Sequence, residues 1–305
     1  MLEEYALLPD IFDQAAYSNP AFIEMCLPHL KEPILQEALV RDLCDGGWSA
    51  YCLANAGSLH RLCKEILRKL QQNNRLRRFP RQNGTAPASN LDWCQEALVA
   101  HAVEPLQGII AGHATKQQIA APEVASIEKL TGTPWWQARS PSVTVDRKTA
   151  DYLRVLDRVL PKANSLMFID PNLDPSSHNY RDFVQLLTPL AQRTPHPRIE
   201  IHRSFCKGDG PARTFPTEAD WKGAFSQLSN QLVAQGLTAE VFFWDDFHER
   251  YLIADVIGIS VPAGFDVTGR PNDCSTWGRL GRNDKDMIQR LFDPAARQPK
   301  WRFKI

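Results

Sequence analysis

The run His248-Glu-Arg250-Tyr-Leu-Ile-Ala-Asp255 carries the side chains best equipped for chemistry. An apolar run from Ala239 to Trp244 leads into it through Asp245-Asp246, and the residues after His248 alternate and then turn apolar. Side chains two residues apart on a strand share a face, so the spacing predicts His248 and Arg250 side by side. A neutral imidazole serves as nucleophile or acid/base near neutral pH. A guanidinium offers a fixed fork of donors that fits two phosphate oxygens. The pair is suited to a phosphate ester. The plain alternative is a strand histidine hydrogen-bonded in a core, with Arg250 paired to Glu249 or Asp246.

These residues resemble the His-x-Lys-x4-Asp signature of the phospholipase D-like phosphodiesterase superfamily. His248-x-Arg250-x4-Asp255 has the same spacing, with arginine in place of lysine. The context is similar too: a strand ending at Asp170, a helix, a strand ending at His202-Arg203, a long amphipathic segment, a strand, then the motif. The resemblance covers residues 146–305. A second departure lies downstream, where the family's small-residue pair falls on Pro262-Ala263, with Gly264-Phe265-Asp266 just beyond. The resemblance implies His248 as nucleophile or acid, Arg250 as phosphate clamp and Asp255 as third motif residue. It implies a covalent phosphohistidine and no metal or cofactor. Two motifs normally meet in this family, and the sequence carries one. The resemblance therefore implies a homodimer, a heteromeric complex or a local substitute histidine, for which His202 is the candidate.

Strand ends flank clefts in open α/β sheets, which adds Asp170 and Arg203 as candidate substrate-binding residues. Asp170 in Asp-Pro-Asn could equally cap a turn. Lys207 and Arg213 lie on a Gly/Pro loop (204–216) that could close on a phosphate backbone, or could be solvated loop charges. Cys44, Cys52, His60 and Cys63 have spacings that fit no ordinary zinc set. Gly278-Arg-Leu-Gly281-Arg lacks the preceding strand and the Lys-Ser/Thr end of a phosphate loop, and 275–282 reads as a loop.

Stepping from site to scaffold, the sequence predicts an α/β fold: a mainly α-helical N-terminal domain (1–145) that binds a partner or nucleic acid, then a phospholipase D-like domain (146–305) with a mixed sheet flanked by helices. Three- and four-residue apolar spacing predicts helices over 21–30, 33–44, 58–72, 91–110 and 122–130. Ser58 and Asn90 are candidate N-caps, and Pro33 suits a first turn. The segment 131–141, with Trp135 and Trp136, reads as the connection. Beyond it, helices over 148–160, 180–192, 218–235 and 284–292 alternate with strands ending at Asp170 and Arg203, then strands over 239–244, 250–254 and 300–305.

The chain has 305 residues, 43% of them hydrophobic, and seven scattered cysteines. Such cysteine usage fits a reducing, cytoplasmic compartment. The acidic opening Met-Leu-Glu-Glu-Tyr is unlike a secretory signal, and no apolar run is long enough to span a membrane, so integral membrane association is not expected. Net charge is zero but segregated. Residues 1–60 hold nine acids and two bases, whereas 61–81 hold eight bases and one acid. Arg75, Arg77, Arg78 and Arg81 are candidate nucleic-acid contacts, the alternative being an intramolecular partner in the acidic start. The leading expectation is a metal-independent phosphodiesterase or nuclease acting on nucleic acid, with a defence or DNA-processing complex as one setting. The alternative is a catalytically degenerate module that binds phosphate-bearing ligands or a protein complex.

Overall fold

Short apolar runs that do not alternate build the first of two sheets. The computed structural model describes residues 1–208 and 210–305, which divide into the units Leu2–Ser140 and Pro141–Ile305. Among the described residues of the first unit, β1 (Glu3–Leu7), β2 (Ala38–Asp42), β3 (Leu76–Arg78), β4 (Gly108–Ala111) and β5 (Val124–Ser126) form an all-parallel sheet. Its order is β3-β2-β1-β4-β5, with helices Ile23–Glu37, Leu43–Ala54, Leu62–Gln72 and Asn90–Val103 in the connections.

The expectation of a mainly helical first domain is therefore corrected to α/β. A strand buried on both faces reads as a continuous apolar run, which periodicity does not separate from a helix. That is why β2 fell inside the helix expected over 33–44, β4 at the end of that over 91–110, and β5 inside that over 122–130. Pro33 sits within helix 23–37, Ser89 rather than Asn90 caps its helix through a capping box with Asp92, and the helix expected from Ser58 begins at Leu62. Trp135 and Trp136 belong to this unit and pack on Tyr5, with ring centroids 5.9 and 5.5 Å away. Trp135 occupies the space a side chain at Gly108 would need.

In the second unit, among the described residues, eight strands form one mixed sheet. They are β6 (Ser142–Asp146), β7 (Ser165–Ile169), β8 (Arg198–Ser204), β9 (Glu240–Trp244), β10 (Tyr251–Ala254), β11 (Gly258–Ser260), β12 (Cys274–Arg279) and β13 (Trp301–Lys304). The order is β13-β9-β8-β7-β10-β11-β12-β6. β7, β8 and β9 are parallel, and β10 runs antiparallel to β7 with Tyr251 opposite Ile169. Helix Glu218–Ala234 covers one face, where Trp221 and Phe225 meet Phe243. Phe292, after helix Arg282–Leu291, packs on Trp244 and His202 of the other.

β6 pairs along its length with β12, so the division falls at Ser140/Pro141 rather than inside β6 at 145. Residues 275–279, expected as loop, are the body of β12, where Trp277 is fully buried. No helix among the described residues is long and apolar enough to cross a membrane.

Candidate active site

The parallel strands deliver their carboxyl ends to one edge of the second sheet, and antiparallel β10 presents its amino end there. The residues just beyond those ends line a small polar cleft of about 70 Å³: Pro171 and Asn172 after β7, Ser204 and Cys206 at the end of β8, and Asp246, Phe247 and His248 after β9. Gly208 and Arg250 complete it. This is the position where open α/β sheets place ligands.

His248 and Arg250 precede β10 and lie in the loop, not on a strand as the alternation predicts. They nevertheless line the same cleft, His248 exposed and Arg250 half-buried. The backbone of His248 donates to Glu249 Oε2 (3.1 Å), and Arg250 Nη1 donates to the carbonyls of His248 (3.2 Å) and Pro262 (3.3 Å).

Asp170 sits behind Arg250 and does not itself line the cleft. Its carboxylate is fully buried, with Oδ1 3.5 Å from Arg250 Nε. Oδ1 also accepts from the backbone N–H of Asn172 (3.0 Å), and Oδ2 accepts from Tyr180 Oη (2.9 Å) and the N–H of Phe265 (3.1 Å). Burial pushes its pKa up against the pull of those donors. Gly264 has φ +77°, and a side chain there would collide with Asp170 Oδ2. Only glycine allows the backbone to come that close while turning the next N–H onto the carboxylate. Asp170 thus fixes Arg250 and two flanking loops rather than meeting a ligand.

Five expected site residues are corrected here. His202 is 0% exposed and absent from the cleft lining. Its Nδ1 accepts from Trp244 Nε1 (3.0 Å), which leaves the proton on Nε2, 3.2 Å from Glu200 Oε2. Phe242 stacks on the ring at 4.8 Å, and burial lowers the pKa. A histidine so enclosed cannot serve as the local acid. Asp255 follows the far end of β10, about 17 Å of strand from Arg250 at ~3.4 Å per residue. There it accepts from the N–H of Asn164 (2.9 Å), anchoring the entry to β7.

Arg203 is also buried. Its guanidinium donates to the carbonyls of Ser204 (2.6 Å), Leu173 (2.7 Å), Cys206 (3.0 Å) and Pro171 (3.3 Å) and lies 3.5 Å from the centroid of the Trp221 ring. It ties together the loops after β7 and β8, and burial lowers its pKa to about 10. Lys207 pairs with Asp174 and Arg213 with Asp246, so both hold the loop to the cleft rim rather than await a phosphate.

The N-terminal arginines separate into two kinds. Arg75 is buried and donates to the carbonyls of Ala38 (3.1 Å) and Gln36 (3.2 Å). Arg77 bridges Glu4 (2.8 Å) and Glu104, and the bond to Glu104 raises its pKa. Neither is a free contact, so the patch is corrected at those two positions. Arg78 and Arg81 are exposed. Among the described residues no group of three or more His, Cys, Asp or Glu could hold a metal ion.

The sequence reading missed Asn172, Ser204 and Cys206. Extending the strand-end rule up to three residues past the predicted ends at Asp170 and Arg203 would have reached all three. Tyr180 bonds to Asp170 across a ten-residue separation, and no local pattern announces it.

No protein-family model and no curated protein matches the chain. Among solved structures it is similar to Nuc, a phospholipase D family member from Salmonella typhimurium, at 11% identity and TM-score 0.31, over 48% of this chain and 89% of that one. It is also similar to TrmBL2, an archaeal chromatin protein (12%, TM-score 0.31, 82% and 90%), and to polyphosphate kinase from Porphyromonas gingivalis (13%, TM-score 0.34, 75% and 34%). These TM-scores lie below the level at which two chains share a fold, so the functional reading rests on the cleft.

Proposed function

We propose that the cleft of the second unit binds a phosphodiester and hydrolyses it, with nucleic acid as the substrate. The observation that carries this reading is the convergence of His248 and Arg250 on one cleft, with buried Asp170 holding the guanidinium in place. His248 attacks phosphorus, the P–O bond to the leaving alcohol breaks, and a phosphohistidine forms. Water then attacks phosphorus, passing its proton to the histidine that protonated the leaving alkoxide, the P–N bond breaks, and the imidazole is regenerated. Arg250 holds the non-bridging oxygens, where charge is concentrated in both steps. The leaving alkoxide needs a proton, and a second His248 from another copy of the chain supplies it in a homodimer. A different subunit fills that role in a heteromeric complex.

A second reading has one observation in its favour. Arg250 Nη1 is already engaged by two carbonyls, so part of its fork is spent. On that reading the cleft binds a phosphate-bearing ligand without turnover. Cleavage assays on single- and double-stranded DNA and RNA in excess chelator, with the native protein and His248→Ala, separate the two. Hydrolysis that persists in chelator and disappears in the variant supports the phosphodiesterase. Ligand binding that depends on Arg250, with no hydrolysis of any substrate, supports the binding module.

A further inference from the structure

The segment after β8 joins an aromatic cluster of Phe205, Trp301 and Phe243 whose outermost ring, Phe215, is left in solvent. Phe215 is 62% exposed, an unusual state for a phenyl ring, and stacks on Phe205 with centroids 5.5 Å apart and planes 30° apart. Phe205 meets the edge of Trp301 at 6.2 Å, and both are only half-buried. Lys300 Nζ, on an exposed residue, stands 3.6 Å from the Phe205 ring centroid, and exposed Arg302 follows Trp301 along β13.

The position of these rings is held. Lys207 and Thr214 exchange backbone hydrogen bonds of 3.0 and 2.8 Å, so Phe215 leaves a paired segment. Arg213, two residues before Phe215, is ion-paired to Asp246 of the cleft lining. Phe205 sits between Ser204 and Cys206, which line the cleft themselves.

We propose that Phe215, Phe205 and Trp301, with Lys300 beside them, form a stacking platform for the bases of single-stranded nucleic acid next to the scissile phosphodiester. This rests on the reading of the cleft as a phosphodiester site and names its substrate class. Every base has an apolar face that stacks on an aromatic ring, and a neighbouring cation tracks the phosphates. In a duplex those faces are covered by adjacent base pairs, so the platform selects unpaired strands. Because Thr214 pairs with Lys207, the neighbour of cleft residue Gly208, and Arg213 is ion-paired to Asp246 of the cleft, the base stacked on Phe215 belongs to a nucleotide near the one being cleaved.

The test is fluorescence anisotropy with a labelled oligodeoxythymidylate and a labelled duplex, on the full chain and on Phe215→Ala and Phe215→Trp. Phe215 is exposed, so Phe215→Ala keeps its melting temperature. The expected result is about tenfold weaker single-strand binding for Phe215→Ala, from the loss of one base–aromatic stack. Phe215→Trp retains the native affinity, and duplex binding is the same in all three proteins. Equal single-strand affinity for Phe215→Ala and the native protein overturns the platform, as does absence of oligonucleotide binding by the native protein. Hydrolysis of the small diester bis(p-nitrophenyl) phosphate is read in parallel and needs no platform. A platform failure with diester hydrolysis intact leaves the cleft reading standing. Platform-dependent binding without hydrolysis removes the catalytic reading alone.

Discussion

The arginines of the first unit and those of the cleft differ in what they already hold. Arg41 is fully buried, donates to both oxygens of buried Glu4 at 2.9 and 3.1 Å, and adds bonds to the carbonyls of Ala100 and Glu104. Arg77 joins the same carboxylates from the next strand over. Arg250 has one carboxylate near it at 3.5 Å, two backbone carbonyls, and a face on a cleft. A guanidinium saturated by carboxylates serves the fold, whereas one held from behind by a single buried aspartate can still meet a phosphate. Density of basic residues in the sequence does not make this distinction, and the disposition of carboxylates does.

The contrast is broken or sharpened by substitutions on each side. The largest expected effect is on stability. Arg41→Ala strips Glu4 of its buried partner, leaving it only the half-buried Arg77, and costs about 3–5 kcal/mol, read by urea denaturation. A loss under about 1 kcal/mol would contradict the structural role assigned to Arg41. Arg250→Gln should cost less stability than Arg41→Ala, because Asp170 keeps its donors from Asn172, Tyr180 and Phe265, and should lower phosphodiester turnover roughly a hundredfold, the scale of losing one charge-stabilising donor. Arg250→Lys keeps the charge and should recover most of that turnover. A turnover for Arg250→Gln equal to the native would remove the clamp from the site.

His202 tests the same contrast through pH. His202 has its pKa lowered by burial, whereas in the unfolded chain it titrates near its ordinary 6.5. Below that pH the unfolded state takes up a proton that the fold resists, so stability present above 6.5 is lost as pH falls. His202→Asn should flatten that decline in urea-unfolding series, and an unchanged slope would show that His202 is not its source. The smallest effect belongs to the exposed pair in the first unit. Arg78→Gln with Arg81→Gln should leave stability within about 0.5 kcal/mol. It should change the salt dependence of any nucleic-acid binding by at most about two counterion units.

Much of the second unit was legible in the sequence because its strands are bounded by charged or turn residues and its helices are amphipathic. The strands ending at Asp170 and Arg203, and helix Glu218–Ala234, fall close to where spacing places them. β12 was not legible, since Cys-Ser-Thr-Trp-Gly-Arg buries one large side chain among polar ones. The first unit was misread because the interior of a parallel sheet erases the alternation that marks a strand. His248 and Arg250, paired by their spacing in the sequence, line one cleft in the structure. Burial of His202 and the carbonyl cage around Arg203 depend on contacts between distant segments, which spacing does not encode, whereas the far-end position of Asp255 follows from its five-residue strand spacing to Arg250.

The central claim is that His248 takes the phosphoryl group. It is tested most directly by quenching the native protein into alkali during turnover of an end-labelled oligonucleotide, then mapping the modified peptide by mass spectrometry. The expected result is an acid-labile, alkali-stable phosphoramidate on His248, absent from His248→Ala. Turnover with the adduct on another residue, or full turnover by His248→Ala, would contradict it.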